Sequence, residues 1–249
     1  RDVERSRGLG DVYKRQRMVF IILTIFGLLM FIGTLFKVPE SLENEHRVNS
    51  NIGTMFKNFK DLFATPRFVL PMLIQGVSFV LLFTYISASP FIVQKIYGFS
   101  PLQFSIMFAS IGITLIISSQ LTGKLVDYFD RQSILRMMTV IQILGVIIVS
   151  MTLINHWNIW LLAFGFVILV APVTGVATLG FSIAMDESKS GKGSSSSLLG
   201  LFQTLLGGLM SPLVGIKGEN DPTPYIIIAI TAVILIILQL LNRRVFKKS

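Results

Sequence analysis

Residues 85–101 read YISASPFIVQKIYGFSP, and this stretch decides how the chain folds. It closes one long apolar run, crosses a short polar gap at 94–100, and opens a second run at Pro101. So few residues cannot recross ~30 Å of hydrocarbon, so two spanning segments joined this way are antiparallel neighbours. Working outward in both directions, the arrangement repeats. Apolar runs occupy approximately residues 18–36, 68–93, 101–122, 137–154, 159–185, 198–216 and 225–241. Each is close to the ~20 residues that a spanning helix needs. None contains Asp, Glu, Lys, Arg or His. Backbone groups in lipid must be satisfied within the segment, which makes these runs helices rather than strands. The expected fold is an all-α membrane protein with seven transmembrane helices.

Composition agrees. The chain has 249 residues, a mean hydropathy of +0.72 and only 14% charged residues, where a soluble domain carries roughly a quarter. The absence of Cys excludes disulfides, thiolate metal sites and Cys nucleophiles. His46 and His156 both lie outside the apolar runs, which argues against a His-based metal site or proton relay. No cofactor is expected. The net charge of +9 raises the question of nucleic acid, but the charges sit in the connections between apolar runs, so the expected surroundings are a lipid bilayer.

The connections also orient the chain. On one side they hold Lys37, Arg47, Lys57, Lys60, Arg67, Lys124, Arg131, Arg136, Lys189, Lys192, Arg243, Arg244, Lys247 and Lys248; on the other only Lys95 and Lys217. This bias predicts a cytoplasmic C-terminus. Residues 1–17, RDVERSRGLGDVYKRQR, then fall on the opposite side with six further basic residues, against the rule. RGLGDVYKRQ resembles translated sequencing-adapter sequence, and residues 1–17 are set aside as foreign.

The connection 37–67 begins polar and then places Ile52, Met55, Phe56, Phe59, Leu62 and Phe63 at helical spacing, with Lys57, Lys60 and Asp61 off the stripe. A basic amphipathic helix on the cytoplasmic membrane surface is expected here, ended by Thr65-Pro66. It divides the first span from a bundle over 68–242, and 243–249 form a cytoplasmic tail. Residues 188–197 are glycine- and serine-rich but hold no phosphate-binding G-x-x-x-x-G-K-[ST] pattern; Ser194–Ser197 offer an N-cap to the next helix.

One helix, a long loop and six closely joined helices resemble the major facilitator superfamily, cut between its fifth and sixth helices. The runs are then helices six to twelve. Residues 123–136, GKLVDYFDRQSILR, resemble the family's loop motif G-x-x-x-D-x-x-G-R: Gly123, Asp127 and Arg131 match, while Asp130 replaces the second motif glycine. Residues 85–94 (YISASPFIVQ) with 97–104 (YGFSPLQF) are similar to the junction of helices seven and eight in the Bcr/CflA drug-resistance transporters. Residues 194–203 (SSSSLLGLFQ) with Gly207-Gly208 are similar to the start of their eleventh helix. The resemblance covers residues 18–249 and implies export of hydrophobic drugs by proton antiport in a bacterial inner membrane.

An intramembrane carboxylate is expensive and is kept for function; with none in any span, this part of the chain cannot itself carry protons. The resemblance places the proton-binding residues in the missing N-terminal bundle, so the chain alone is expected to be inactive. For substrate, Gln75, Ser78, Tyr85, Ser87 and Ser89 are the candidates, with Gln75, Ser78, Leu82 and Tyr85 on one helix face and Gln203 on another span. Few polar groups on an apolar face suit a large hydrophobic ligand. The competing reading is hydrogen bonding between helices, which applies more strongly to Gln120, Gln142 and Gln239.

For gating, the resemblance assigns Asp127 a latch role with Gly123 and Arg131; the alternative is a solvated loop acid. Pro90, Pro172 and Pro212 can hinge helices. Gly200, Gly207 and Gly208 permit close helix packing. A seven-helix photoreceptor is excluded because 225–241 has no lysine, and an intramembrane hydrolase is disfavoured because no span holds a His or Asp. A sugar or metabolite transporter and a non-transporting scaffold remain as alternatives; neither makes the chain an enzyme.

Overall fold

The computed structural model describes residues 2–37, 52–188, 191–210, 212 and 223–247. The elements are α1 (Asp2–Lys37), α2 (Ile52–Phe63), α3 (Pro66–Phe91), a π-helical turn (Ile92–Ile96), α4 (Pro101–Leu125), α5 (Arg131–Ile154), α6 (Ile159–Val170), α7 (Pro172–Asp186), α8 (Lys192–Met210) and α9 (Thr223–Lys247). Among the described residues there is no strand, and six helical spans are long and apolar enough to cross a membrane. The seventh apolar run, 198–216, lies within α8 as far as Met210, and beyond it only residue 212 of the run is described.

Local chemistry sets the helix ends. Ser100 and Gln103 form a capping box: the Ser100 hydroxyl accepts the Gln103 amide at 3.3 Å and the Gln103 side chain accepts the Ser100 amide at 2.9 Å. Asp130 caps α5 by accepting the Ser133 amide at 3.1 Å, and Asn158 caps α6 by accepting the Trp160 amide at 3.0 Å. Pro66, Pro101 and Pro172 each open a helix, where the missing N–H is not needed. Gly98, at φ +70°, makes the reversal between the π-helical turn and α4.

The chain divides into two units, Arg1–Ser50 and Asn51–Ser249. In the first, α1 runs without a break across residue 17, the edge of the segment expected to be foreign. The polar residues 38–46 of the connection fall outside the described residues.

In the second unit α3 is the hub, packing against α6, α7, α8 and α9 and touching α2. α5 packs on α6, α7 and α9, and α4 lies on the outside against α6 and α7. α3 and α4 run antiparallel as predicted. Tyr85, near the end of α3, and Phe108, near the start of α4, stack with ring centroids 5.6 Å apart. α5 and α6 cross so closely at Gly145 that a side chain there would strike the Leu169 backbone.

Four expectations change in detail. The run 159–185 is two helices, because the Pro172 ring cannot donate the next ladder bond and the chain breaks at Ala171. The Ser194–Ser197 run does not cap α8; the helix starts earlier, at Lys192, and encloses these serines. The hydroxyls of Ser195 and Ser196 bond back to the preceding turn, Ser195 to the Gly191 carbonyl at 3.4 Å and Ser196 to the Gly193 carbonyl at 3.0 Å, so these two are accommodated inside the helix. α2 ends at Phe63 near the predicted stop but docks on protein as well as presenting an apolar stripe. Its Leu62 is buried among Phe68, Met72, Leu198 and Leu199, Phe63 meets Phe202 edge-on at 5.6 Å, and Phe56 stays exposed. Finally, Arg243 and Arg244 continue α9, which stays helical to Lys247.

Candidate functional site

The α3 face carrying Gln75, Ser78, Leu82, Tyr85 and Ser89 covers roughly 80° of the helix circumference at 100° per residue. Because α3 is the hub, that one face meets a different neighbour at each level. Gln75 is fully buried, and its Nε2 donates to the Leu199 carbonyl on α8 at 3.2 Å. α7 comes close beside it: a Cβ added at Gly180 would lie 3.0 Å from Gln75 Cβ and 3.0 Å from the Pro71 carbonyl oxygen. One turn on, the Ser78 hydroxyl meets Gln142 of α5, whose Nε2 donates to it at 2.7 Å. Higher still, Tyr85 stacks on Phe108 of α4 and takes the edge of Phe166 of α6 at 5.0 Å.

Hydrogen-bonding capacity remains on this face. The Oε1 of Gln75 and the hydroxyls of Tyr85 and Ser89 are buried and complete no well-formed hydrogen bond, although the Ser89 side chain, one turn along α3, interacts with the Tyr85 hydroxyl. An amide or hydroxyl held this way normally finds a partner, since burying it unsatisfied costs ~1–3 kcal/mol. Ser87, also expected at the site, is half-buried on the opposite side of α3, so it does not join this face. Gln203, half-buried on α8, continues the row of Leu199 and Gly207, and Gly207 packs against the Phe83 ring of α3.

Interhelical pairing accounts for the other amides of the interior. Gln142 is committed to Ser78, and Gln239 of α9 donates to the Thr139 hydroxyl of α5 at 2.8 Å. Gln120 is exposed on α4.

The charged end of the bundle is a second constellation. Gly123 is exposed with open space around it, and Asp127 is exposed in the turn after α4. Arg131, in the first turn of α5, turns away from Asp127. It pairs with Asp186 at the end of α7 at 2.6 Å and donates to Ser182 Oγ at 2.8 Å. Arg67, at the start of α3, approaches Glu187 at 3.9 Å. The ends of α3, α5 and α7 are thus tied together by charge. Sequence reasoning missed Asp186 and Glu187 as partners. Their signal was present: both are acids placed just after a span, on the side where the basic residues collect.

Pro90 lies in the last turn of α3, immediately before the π-helical turn Ile92–Ile96. It withholds a backbone donor there, and the helix widens where the ladder is interrupted. Pro212 is exposed, and Gly200 and Gly208 have open space on their Cβ side. Among the described residues no group of His, Asp and Glu could hold a metal ion.

The family model described as Major Facilitator Superfamily matches residues 9–212. An uncharacterized MFS-type transporter of Bacillus subtilis, YdgK, is 33% identical over 217 residues, covering 87% of this chain and 54% of that protein. A bicyclomycin resistance protein homolog of Haemophilus influenzae is 24% identical over 206 residues, covering 83% of this chain and 52% of that protein. The chain therefore spans about half the length of these relatives.

Proposed function

The chain belongs to the major facilitator superfamily, and from that premise we propose that it is the C-terminal part of a bacterial exporter of hydrophobic drugs driven by proton antiport. It is a multi-pass membrane protein of a transporter family rather than an enzyme. The finer reading places it in the inner membrane with a cytoplasmic C-terminus, as the positive-inside bias favours. A named bicyclomycin resistance homolog among its relatives supports a drug as cargo. The described spans hold no ionisable carboxylate or histidine in their interiors, so proton coupling is assigned to the part of the relatives that this chain does not cover. On this reading the chain transports nothing alone.

The observation that carries the substrate assignment is the set of unused polar atoms on α3: Gln75 Oε1, Tyr85 Oη and Ser89 Oγ. They stand on one face, with aromatic rings packed around Tyr85, and offer a large apolar ligand a few directional contacts. Ser78 is spent on Gln142 and contributes position instead. Gln203 borders the same region from α8. Gating is assigned to the charged end, with Gly123 and Asp127 in the turn, Arg131 latched to Asp186, and Pro90 as the hinge of α3.

The test uses the completed transporter. Tyr85→Phe and Ser89→Ala keep the packing and delete only hydroxyls, and Gln75→Leu deletes the amide. The expected result is an altered spectrum of drug resistance at unchanged protein level. Resistance unaltered for every drug would remove these residues from the substrate site. Uptake of a sugar or metabolite in place of drug export would move the protein to another branch of the family.

A further inference from the structure

Between the start of α5 and the end of α9 lies a cavity of about 450 Å³, lined by Gln132, Arg136, Asn242, Arg243, Phe246 and the capping Asp130, among others. None of the α3 substrate candidates lines it, and the transport reading assigns it no role. Asn242 is 3% exposed, and its Nδ2 donates to Gln132 Oε1 at 2.8 Å. The other half of this amide pair is unused: Gln132 Nε2 and Asn242 Oδ1 are both buried without a partner. Turning both amides over exchanges the roles and still leaves one donor and one acceptor free. The pair thus asks for a ligand that both accepts and donates.

Charge narrows the class. Arg136 and Arg243 put two guanidinium groups at the cavity and Asp130 one carboxylate, a net of one positive charge. Asp130 is already engaged as the α5 cap through the Ser133 amide. The first turn of α5 adds its unpaired amides and positive dipole end. Phe246 closes one wall, and the Arg67 guanidinium rests 5.6 Å over its ring. The cavity opens at the basic ends of spanning helices, where lipid headgroups stand.

We propose that this cavity binds an anionic phosphate ester bearing hydroxyl groups, glycerophosphate chemistry, presented either as the phosphodiester headgroup of an anionic lipid or as a soluble phosphate monoester. Arg136, Arg243 and Gln132 donate to the phosphate oxygens, and Asn242 accepts from a hydroxyl. Guanidinium pairs favour phosphate through charge-assisted bonds, and the volume suits a headgroup rather than a whole lipid.

The test is native mass spectrometry of the full 249-residue chain released from detergent containing phosphatidylglycerol or phosphatidylcholine with identical acyl chains. The expected result is about tenfold preference for phosphatidylglycerol, the ratio that ~1.4 kcal/mol supplies. Arg243→Gln, at an exposed position, and Gln132→Leu should each bring retention close to that of phosphatidylcholine. Glycerol 3-phosphate added as competitor separates the sources: displacement of the lipid assigns the site to a soluble ester, and persistence assigns it to the headgroup. Inorganic phosphate, which lacks the hydroxyl arm, should compete less well than glycerol 3-phosphate. Equal retention of the two lipids by the unmodified chain, with no binding of glycerol 3-phosphate, overturns the proposal. So does unchanged phosphatidylglycerol retention in both variants.

Discussion

α3 and α4 are similar in length and apolar character, are joined by a single short turn, and have opposite fates. Of the most apolar stretch of α3, 67% is buried; of α4, 11%. On α3 two of the polar side chains reach other helices, Gln75 to Leu199 and Ser78 to Gln142, while the buried Thr84 bonds back to Val80. On α4 the exposed ones turn inward on their own helix: Ser105 and Ser110 donate to carbonyls four and three residues back. A hydroxyl facing lipid has no other acceptor, so self-bonding is the low-energy choice. A hydroxyl facing protein can specify a partner. Hydropathy does not separate these cases, because lipid tails are as apolar as a packed leucine.

The sharpest way to break this contrast is to add volume on each side of it. Gly180→Leu forces a side chain into the Pro71 carbonyl and Gln75, and should destabilise the bundle by about 3 kcal/mol through overpacking. At Gly112 on α4 an added Cβ meets nothing within 4 Å, and Gly112→Leu should stay within ~0.5 kcal/mol of the parent. Unfolding by graded SDS in mixed micelles would measure both. Equal effects would mean that α4 is as enclosed as α3.

Removing volume comes next. Tyr85→Ala deletes contacts with Phe108 and Phe166 and should cost about 2 kcal/mol, while Tyr85→Phe, which loses only a poorly bonded hydroxyl, should cost less than ~1 kcal/mol. A large loss in the Phe variant would reveal a hydrogen bond that the Tyr85 hydroxyl does make. The Ser78–Gln142 pair is smaller again. A double-mutant cycle of Ser78→Ala and Gln142→Leu should give a coupling near ~0.6 kcal/mol and below ~1.7 kcal/mol. The smallest effect is expected at the charged end. Arg131 and Asp186 remain 43% and 57% exposed, so Asp186→Asn should lower stability by no more than ~1 kcal/mol, diminishing with salt. In the completed transporter the same substitution, if Arg131 latches α5 to α7 as proposed, should alter transport rate more than stability.

The order of the described helices and most of their ends were legible along the chain. Apolar runs free of charge, Pro at the first helical position, Ser100 with Gln103 and Asp130 before α5 act through neighbours a few residues away, so a one-dimensional reading suffices. Even the break at Pro172 was marked by its ring. The amphipathic stripe of α2 was legible too, but not that Leu62 would be claimed by α3 and α8. The partners of the candidate site were not legible. Gln142 and Ser78 are separated by 64 residues and Arg131 and Asp186 by more than 50, and no local pattern pairs them. Which way each helix turns is decided by close approaches at Gly145, Gly180 and Gly207 and by ring packing around Tyr85. Sequence by itself determined that these segments cross a membrane, because the penalty for unsatisfied backbone in hydrocarbon is paid residue by residue. Tertiary structure alone decided which polar atoms are spent on packing and which stay available to a ligand, because in an apolar surround only shape and hydrogen bonding tell one helix face from another.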